Sequence, residues 1–226
     1  MQDQVDAPAA RVALVAGATG LVGQAVLAAL LTDKHYAAVH CVGRRSPALK
    51  HPKLIHHVVD LVGLKRLPGI GHVDDAFIAL GTTIKVAGSQ AAFRALDFDA
   101  VVALARAAKA AGASKLGVVS AMGASARSSV FYNRVKGEME DALAQLGYPT
   151  LVIARPSLLA GDRAALAQPE RPGEHLGLLA TRLLKPLIPA NYRAISADDV
   201  AQALIKAVQQ TQQGQRVLLS GEMQHP

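Results

Sequence analysis

The 226-residue chain has a single cysteine and no tryptophan. A lone Cys41 excludes an internal disulfide and any multi-cysteine metal site. It stands in an apolar run, where a buried, inert thiol is the ordinary outcome. Aromatic residues make up only 4% of the chain, so the core must be aliphatic. The opening MQDQVDAPAAR carries acids and lacks the apolar stretch of a secretory signal, so the expected location is cytoplasmic. No charged residue falls between Arg11 and Asp33, a stretch long enough to cross a bilayer. Three glycines, two threonines and a glutamine interrupt it, nothing comparable follows, and no membrane span is expected.

What is present is a chain that is 51% hydrophobic and 18% charged, enough to bury a full core in one domain spanning 1–226. Short β-type runs alternate with alanine-rich helical stretches. Strands are expected near Val12–Ala16, Val39–Gly43, Leu54–Val59, Asp75–Leu80, Leu116–Ser120 and Thr150–Arg155, with a seventh at Arg216–Leu219. Helices fit Leu21–Leu31, Ser89–Ala111, Ser128–Leu146, His175–Leu187 and Ala197–Gln209, with Gly112 and Gly147 at C-cap positions. Strands separated by helices predict an α/β fold, a Rossmann-type doubly wound parallel sheet with helices on both faces. Five prolines between Pro156 and Pro189 suggest a small C-terminal substrate lobe, taken as 156–195.

The segment Val12 to Gly23, VALVAGATGLVG, is a strand that breaks into glycines spaced G-x-x-G-x-x-G and restarts as a helix. That arrangement holds a dinucleotide pyrophosphate: backbone N–H groups at the helix N-terminus face the phosphates, and the helix dipole favours their charge. Gly17, Thr19, Gly20, Leu21, Val22 and Gly23 are the candidate contacts. A purely structural glycine turn is the competing reading.

In such fingerprints an acid about 20 residues after the glycines bonds the ribose 2′-hydroxyl. Here that region reads CVGRRS. Arginines bind a 2′-phosphate through forked, charge-assisted hydrogen bonds, so Arg44 and Arg45 favour NADP(H) over NAD(H) unless they are ordinary solvated loop residues. They belong to a basic stretch with seven Lys or Arg (34, 44, 45, 50, 53, 65, 66) against one acid, Asp60, and five of the eight histidines. A nucleic-acid patch would look similar, but no recognised motif or stacking residues accompany it, and a phosphorylated small ligand explains it more economically. His56 and His57 point to opposite faces of a strand and lack ligand spacing, so no metal site is expected. Asp60 and Leu61 end the third strand, where the carboxylate either meets an adenine amino group or caps a turn. Leu80, Gly81 and Thr82 end the fourth and would lie beside the cofactor ribose.

Tyr132 and Lys136 sit at i and i+4, on one face of the helix after the fifth strand. An ammonium beside a phenol favours the phenolate, which suits Tyr132 to general acid/base work while Lys136 grips the nicotinamide ribose. Ser120 ends the fifth strand and is placed to orient a carbonyl; Ser125 in the following loop is a rival for that role, and a serine that merely ends a strand is the plain alternative.

Taken in order, GATGLVG, VGRR, ALGTT, VVSAMGAS, YNRVK and ARPSLLAGDR resemble the atypical short-chain dehydrogenases, with the nearest likeness to the Tat-interacting-protein-like oxidoreductase branch and NmrA-like proteins more distant. The likeness runs from Arg11 to Val208 and includes RPGEHL at 171–176. It implies NADP(H) binding on a Rossmann-type fold, with Tyr132, Lys136 and Ser120 in the active-site positions and Pro156 beside the nicotinamide. Arg155 and Arg163 become candidates for substrate or structural contacts. Many relatives complete a proton relay with an Asn on the helix after the fourth strand; the matching ALDFDA places Asp97 there instead. The expectation is an NADP(H)-dependent oxidoreductase acting on a small carbonyl or alcohol, as a monomer or homodimer. The Asp97 departure keeps a second expectation open, a non-catalytic NADP(H)-binding regulator that signals redox state to a protein partner.

Overall fold

The computed structural model describes residues 10–160 and 189–224. Seven parallel strands form one sheet: β1 (Arg11–Ala16), β2 (Tyr36–Gly43), β3 (Leu54–Val58), β4 (Asp75–Ile78), β5 (Lys115–Val119), β6 (Thr150–Arg155) and β9 (Gly214–Leu219), in the order β3-β2-β1-β4-β5-β6-β9. The sequence reads as strands because each central run is apolar on both faces; β4 is buried at all four positions. The seven expected strands are all present, although β4 stops at Ile78, short of Leu80. A second, two-stranded sheet pairs β7 (Leu159–Ala160) with β8 (Ile195–Ser196).

Two aliphatic cores clamp the sheet. On one face α1 (Leu21–Thr32) and α6 (Ala197–Gln210) cover Val15, Val39, Cys41 and Val152. On the other, α4 (Ala100–Ala110) and α5 (Phe131–Ala144) cover Leu14, Val42, Leu116 and Ile153. Cys41 is buried, and burial pushes its thiol up to about 11, so it is inert as expected. Among the described residues no helix is long and apolar enough to cross a membrane.

The helix expected as one piece over Ser89–Ala111 is interrupted. After α2 (Ile84–Ala87) and α3 (Gln90–Arg94), one π turn spans Ala95–Asp99 before α4 begins. The extra residue of a π turn re-aims the side chains it carries, and here it leaves Asp97 fully buried instead of solvated. The predicted substrate lobe lies mostly outside the described residues, as do Arg163 and the helix expected at His175–Leu187.

The N-terminal end of the sheet is tied electrostatically. Arg11 donates to both oxygens of buried Asp75 (2.9 and 2.7 Å), and the Tyr36 hydroxyl donates to Asp75 Oδ2 at 2.8 Å. Burial, then the Asp75 charge, holds the Tyr36 phenol far above its usual range. The carboxyl ends of the strands are thereby left for ligands, at the point where strand order reverses between β1 and β4.

Candidate active site

At that reversal lies a cavity of about 430 Å³, lined by Gly17–Gly20, the Gly43–Arg45 corner, Asp60–Val62 and Ala79–Thr83. Gly17 has φ +88°, and a Cβ there would lie 2.3 Å from the Ala79 carbonyl oxygen, so only glycine turns the chain this close to β4. A Cβ on Gly23 would come within 2.0 Å of the Gly17 oxygen, which fixes helix against turn. Gly20 differs: its Cβ would meet nothing closer than 3.4 Å, so packing within the fold does not demand a glycine there. The α1 N-terminus that follows has no side-chain cap and no acid in its first turn. An uncapped, positively polarised helix end facing a cavity over a glycine with room to spare fits a pyrophosphate.

The other cavity residues fall where the sequence put them, with one refinement. Arg44 and Arg45 are exposed at the rim, and Arg45 donates to Thr19 Oγ1 at 3.4 Å. Asp60 Oδ1 accepts from the Val62 N–H at 3.1 Å, so the carboxylate caps its turn while still lining the cavity. Leu61 is buried into the core beside it. Lys53 and several histidines of the basic stretch are engaged in structure. Lys53 donates to the Asp33 carbonyl (2.9 Å), His40 Nδ1 lies 2.9 Å from His57 Nε2, and Ser46 pairs with His56 at 3.0 Å.

Helix α5 carries the catalytic candidates. It can lie against the loop after β5 only because residue 137 is glycine: a Cβ there would come within 2.1 Å of the Ser125 carbonyl carbon. Tyr132 is half-buried, its ring 5.3 Å from that of fully buried Phe93 on α3. Lys136, one turn on, is buried with its Nζ 2.8 Å from Asp97 Oδ1, and Asp97 Oδ2 accepts from the Thr82 N–H at 3.0 Å. Lys136 and Asp97 form a buried ion pair. Burial alone would lower the ammonium, but Asp97, then Tyr132 and Glu140, outweigh it and hold Lys136 raised and charged. The roof over this pair is Gly81, whose Cβ would sit 3.6 Å from Asp97 Oδ1 and 3.8 Å from Lys136 Nζ.

Ser120 is buried, and its hydroxyl donates to Glu140 Oε1 on α5. Arg155, from the end of β6, donates to the same carboxylate through Nε (3.1 and 3.2 Å) and a closer terminal nitrogen. Its hydrogen bonds to Glu140 keep Arg155 firmly charged. Arg155 therefore has a structural partner, and the Ser120 proton is committed unless a ligand displaces Glu140. Pro156 is buried, its carbonyl accepting from the Met122 N–H at 2.9 Å. Glu140 was missed by sequence reasoning. The signal was available: Tyr132, Lys136 and Glu140 form one stripe at i, i+4 and i+8. Phe93 and Gly137 carried no such signal, because each acts through a contact with a distant segment.

Residues 13–122 match the model of the NAD dependent epimerase/dehydratase family. The chain is 35% identical over 156 residues to "Protein FMP52-1, mitochondrial" of Scheffersomyces stipitis, covering 67% of this chain and 68% of that one. It is 32% identical over 209 residues to "Protein fmp52-1, mitochondrial" of Aspergillus terreus, covering 88% and 87%. Among solved structures, a short chain dehydrogenase family protein from Francisella tularensis superposes with TM-score 0.64 at 14% identity, over 96% of this chain and all of that one. WbmG of Bordetella bronchiseptica, solved with NAD, gives TM-score 0.69 at 16% identity over 96% and 75%. These likenesses show the Rossmann-type fold of the short-chain dehydrogenases and epimerases. The relatives carry the FMP52 name. They correct one expectation: they are named as mitochondrial, which overturns the cytoplasmic location read from a default.

Proposed function

The chain belongs to the family of the FMP52 proteins, with an NAD dependent epimerase/dehydratase segment over residues 13–122, and from that premise we propose that it is an NADP(H)-dependent oxidoreductase acting on a small carbonyl or alcohol. The observation that carries the reading is the convergence of two features at one end of the sheet. A glycine-lined cavity opens beneath an uncapped helix terminus, and Lys136, one turn from Tyr132 on α5, lies beneath Gly81 of its lining. Gly17, Gly20 and the start of α1 hold the pyrophosphate in this reading, and Arg44 and Arg45 take the 2′-phosphate. When bound, the nicotinamide supplies or accepts the hydride.

The protein's own part is proton transfer and orientation. Tyr132 gives its phenolic proton to a carbonyl oxygen, or takes one back from an alcohol. Lys136 holds a fixed positive charge below Gly81, where a ribose hydroxyl would rest. Phe93, in ring contact, limits the swing of the phenol. Ser120 can orient the carbonyl only by exchanging its bond to Glu140 for one to substrate. The affiliation with the Tat-interacting-protein-like branch is kept as a finer reading of the same kind, supported by the ordered motifs from GATGLVG to RPGEHL.

The test is affinity. Titration of the purified chain with NADPH and NADH should give tighter NADPH binding by at least tenfold, and Arg44→Ala with Arg45→Ala should erase the difference while leaving NADH binding in place. Equal affinity in the unmodified chain would remove the argument for NADP(H). The regulator reading predicts the same binding but no turnover, so the two part at catalysis.

A further inference from the structure

The stripe on α5 is charge-balanced by residues from elsewhere in the chain. Lys136 is answered by Asp97 from the π turn, and Glu140 by Arg155 from the end of β6. The first balance is the unusual one. A lysine set four residues after a tyrosine acts on the phenol because its charge is uncompensated in that direction. Here a fully buried carboxylate lies 2.8 Å from the ammonium, held in place by the Thr82 N–H. Seen from the phenol, ammonium and carboxylate form a dipole rather than a net positive charge.

We infer that Asp97 is a positioning residue that pins Lys136 beneath Gly81 and cancels its charge beside Tyr132, so that the site is set to donate a proton to a carbonyl oxygen rather than to withdraw one from an alcohol. This rests on the oxidoreductase reading and deepens it: the site favours the protonated phenol that carbonyl reduction uses. In that direction the phenolic O–H bond breaks, its proton goes to the carbonyl oxygen, the carbonyl carbon gains the hydride of NADPH, and alcohol and NADP+ leave. Solvent then returns a proton to the phenolate.

Among the described residues, the other groups around Tyr132 do not supply the missing positive charge. From α5 it meets Lys136 and, further along, Glu140, which is itself paired with Arg155. From α3 it meets the uncharged ring of Phe93, while the neighbouring Arg94 is paired with Glu138. The π turn contributes Asp97. Its geometry is what makes the balance possible, since the inserted residue turns Asp97 inward in a helix that otherwise faces Asp99 and Arg106 outward or to the rim. An ion is costly to bury unless it is paired, and the pair with Lys136 is what holds Asp97 in full burial.

The experiment is an ultraviolet titration of tyrosinate in the full chain without cofactor. Subtracting the same titration of Tyr132→Phe removes the signals of Tyr36, Tyr148 and Tyr192 and leaves that of Tyr132. Asp97→Asn, which keeps size and hydrogen-bonding shape but removes the charge, should bring the Tyr132 signal in at least one pH unit earlier, a tenfold gain in phenolate at fixed pH. Asp97→Glu, which keeps the charge, should titrate like the unmodified chain. An Asp97→Asn signal that is unmoved or moves to higher pH overturns the inference. Asp97→Ser is read the same way should the Asn variant fail to fold. NADPH binding, measured on the same preparations, is separate: its absence from the unmodified chain sinks the oxidoreductase reading, whereas a null titration with binding intact sinks only the role of Asp97.

Discussion

Gly137→Ala tests how tightly the helix that carries Tyr132 and Lys136 is seated. The added Cβ would lie 2.1 Å from the Ser125 carbonyl carbon and 2.2 Å from the Ala126 nitrogen, whereas ordinary contact begins at 3.4 Å. Both neighbours are backbone, so no side chain can swing aside; helix and loop must part by about 1 Å, roughly what such a contact requires. Two terms compete. Replacing glycine by alanine inside a helix gains roughly 0.5–1 kcal/mol of backbone entropy. Overpacking a fitted contact costs about 1–3 kcal/mol, and a clash this close belongs at the upper end. The net loss is about 2 kcal/mol, which lowers Tm by roughly 4–8 °C in a chain of this size. The same displacement moves Tyr132 and Lys136, and a misplacement of about 1 Å can cost on the order of 100-fold in rate. Differential scanning fluorimetry and NADPH oxidation read the two effects. Gly71→Ala, where a Cβ meets nothing within 4 Å, is the control and should be close to neutral. A Gly137→Ala protein with unchanged Tm and full activity would refute the packing argument.

Removing the guanidinium from the second charge pair should also be felt. Arg155→Met leaves Glu140 buried with Ser120 as its only side-chain donor among the described residues, and chemical denaturation should show a loss of about 1.5–3 kcal/mol. The imidazole pair His40–His57 makes stability depend on pH. Burial lowers both in the folded state, reinforced by His57 at His40 and by His56 at His57, so the unfolded chain binds protons more readily and stability falls as pH drops through the histidine range. Tm should therefore decrease between pH 7.5 and 5.5, and His40→Gln should flatten that decrease; an unchanged slope would show that the pair is not its source.

The seven strands, their parallel order and the cavity corner were legible because each rests on a local pattern: apolar runs for the strands, glycine spacing for the turn, paired arginines for the rim. Tyr132 and Lys136 were legible because an i, i+4 pair declares a helix face. Three things were not. The helix over Ser89–Ala111 has continuous helical composition, and nothing local marks the π turn that buries Asp97; only its tertiary partners, Lys136 and the Thr82 N–H, do so. Ser120 was correctly set at a strand end, but its bond to Glu140 depends on how β5, α5 and β6 meet. Asp60 was left between two roles, and its bond from the Val62 N–H shows that capping a turn does not withdraw it from the cavity. The location failed for a different reason, since the lack of a signal pattern is not a positive statement about where a chain resides.

The central claim is that one end of the sheet both holds NADP(H) and moves a proton through Tyr132. The most direct measurement is NADPH oxidation across a panel of small aldehydes and ketones by the unmodified chain and by Tyr132→Phe, with NADPH affinity measured on both. The account predicts turnover of at least one carbonyl by the unmodified chain, and a loss of at least about 100-fold on removal of the hydroxyl, in line with general acid catalysis, with affinity preserved. Equal rates in the two proteins would contradict it.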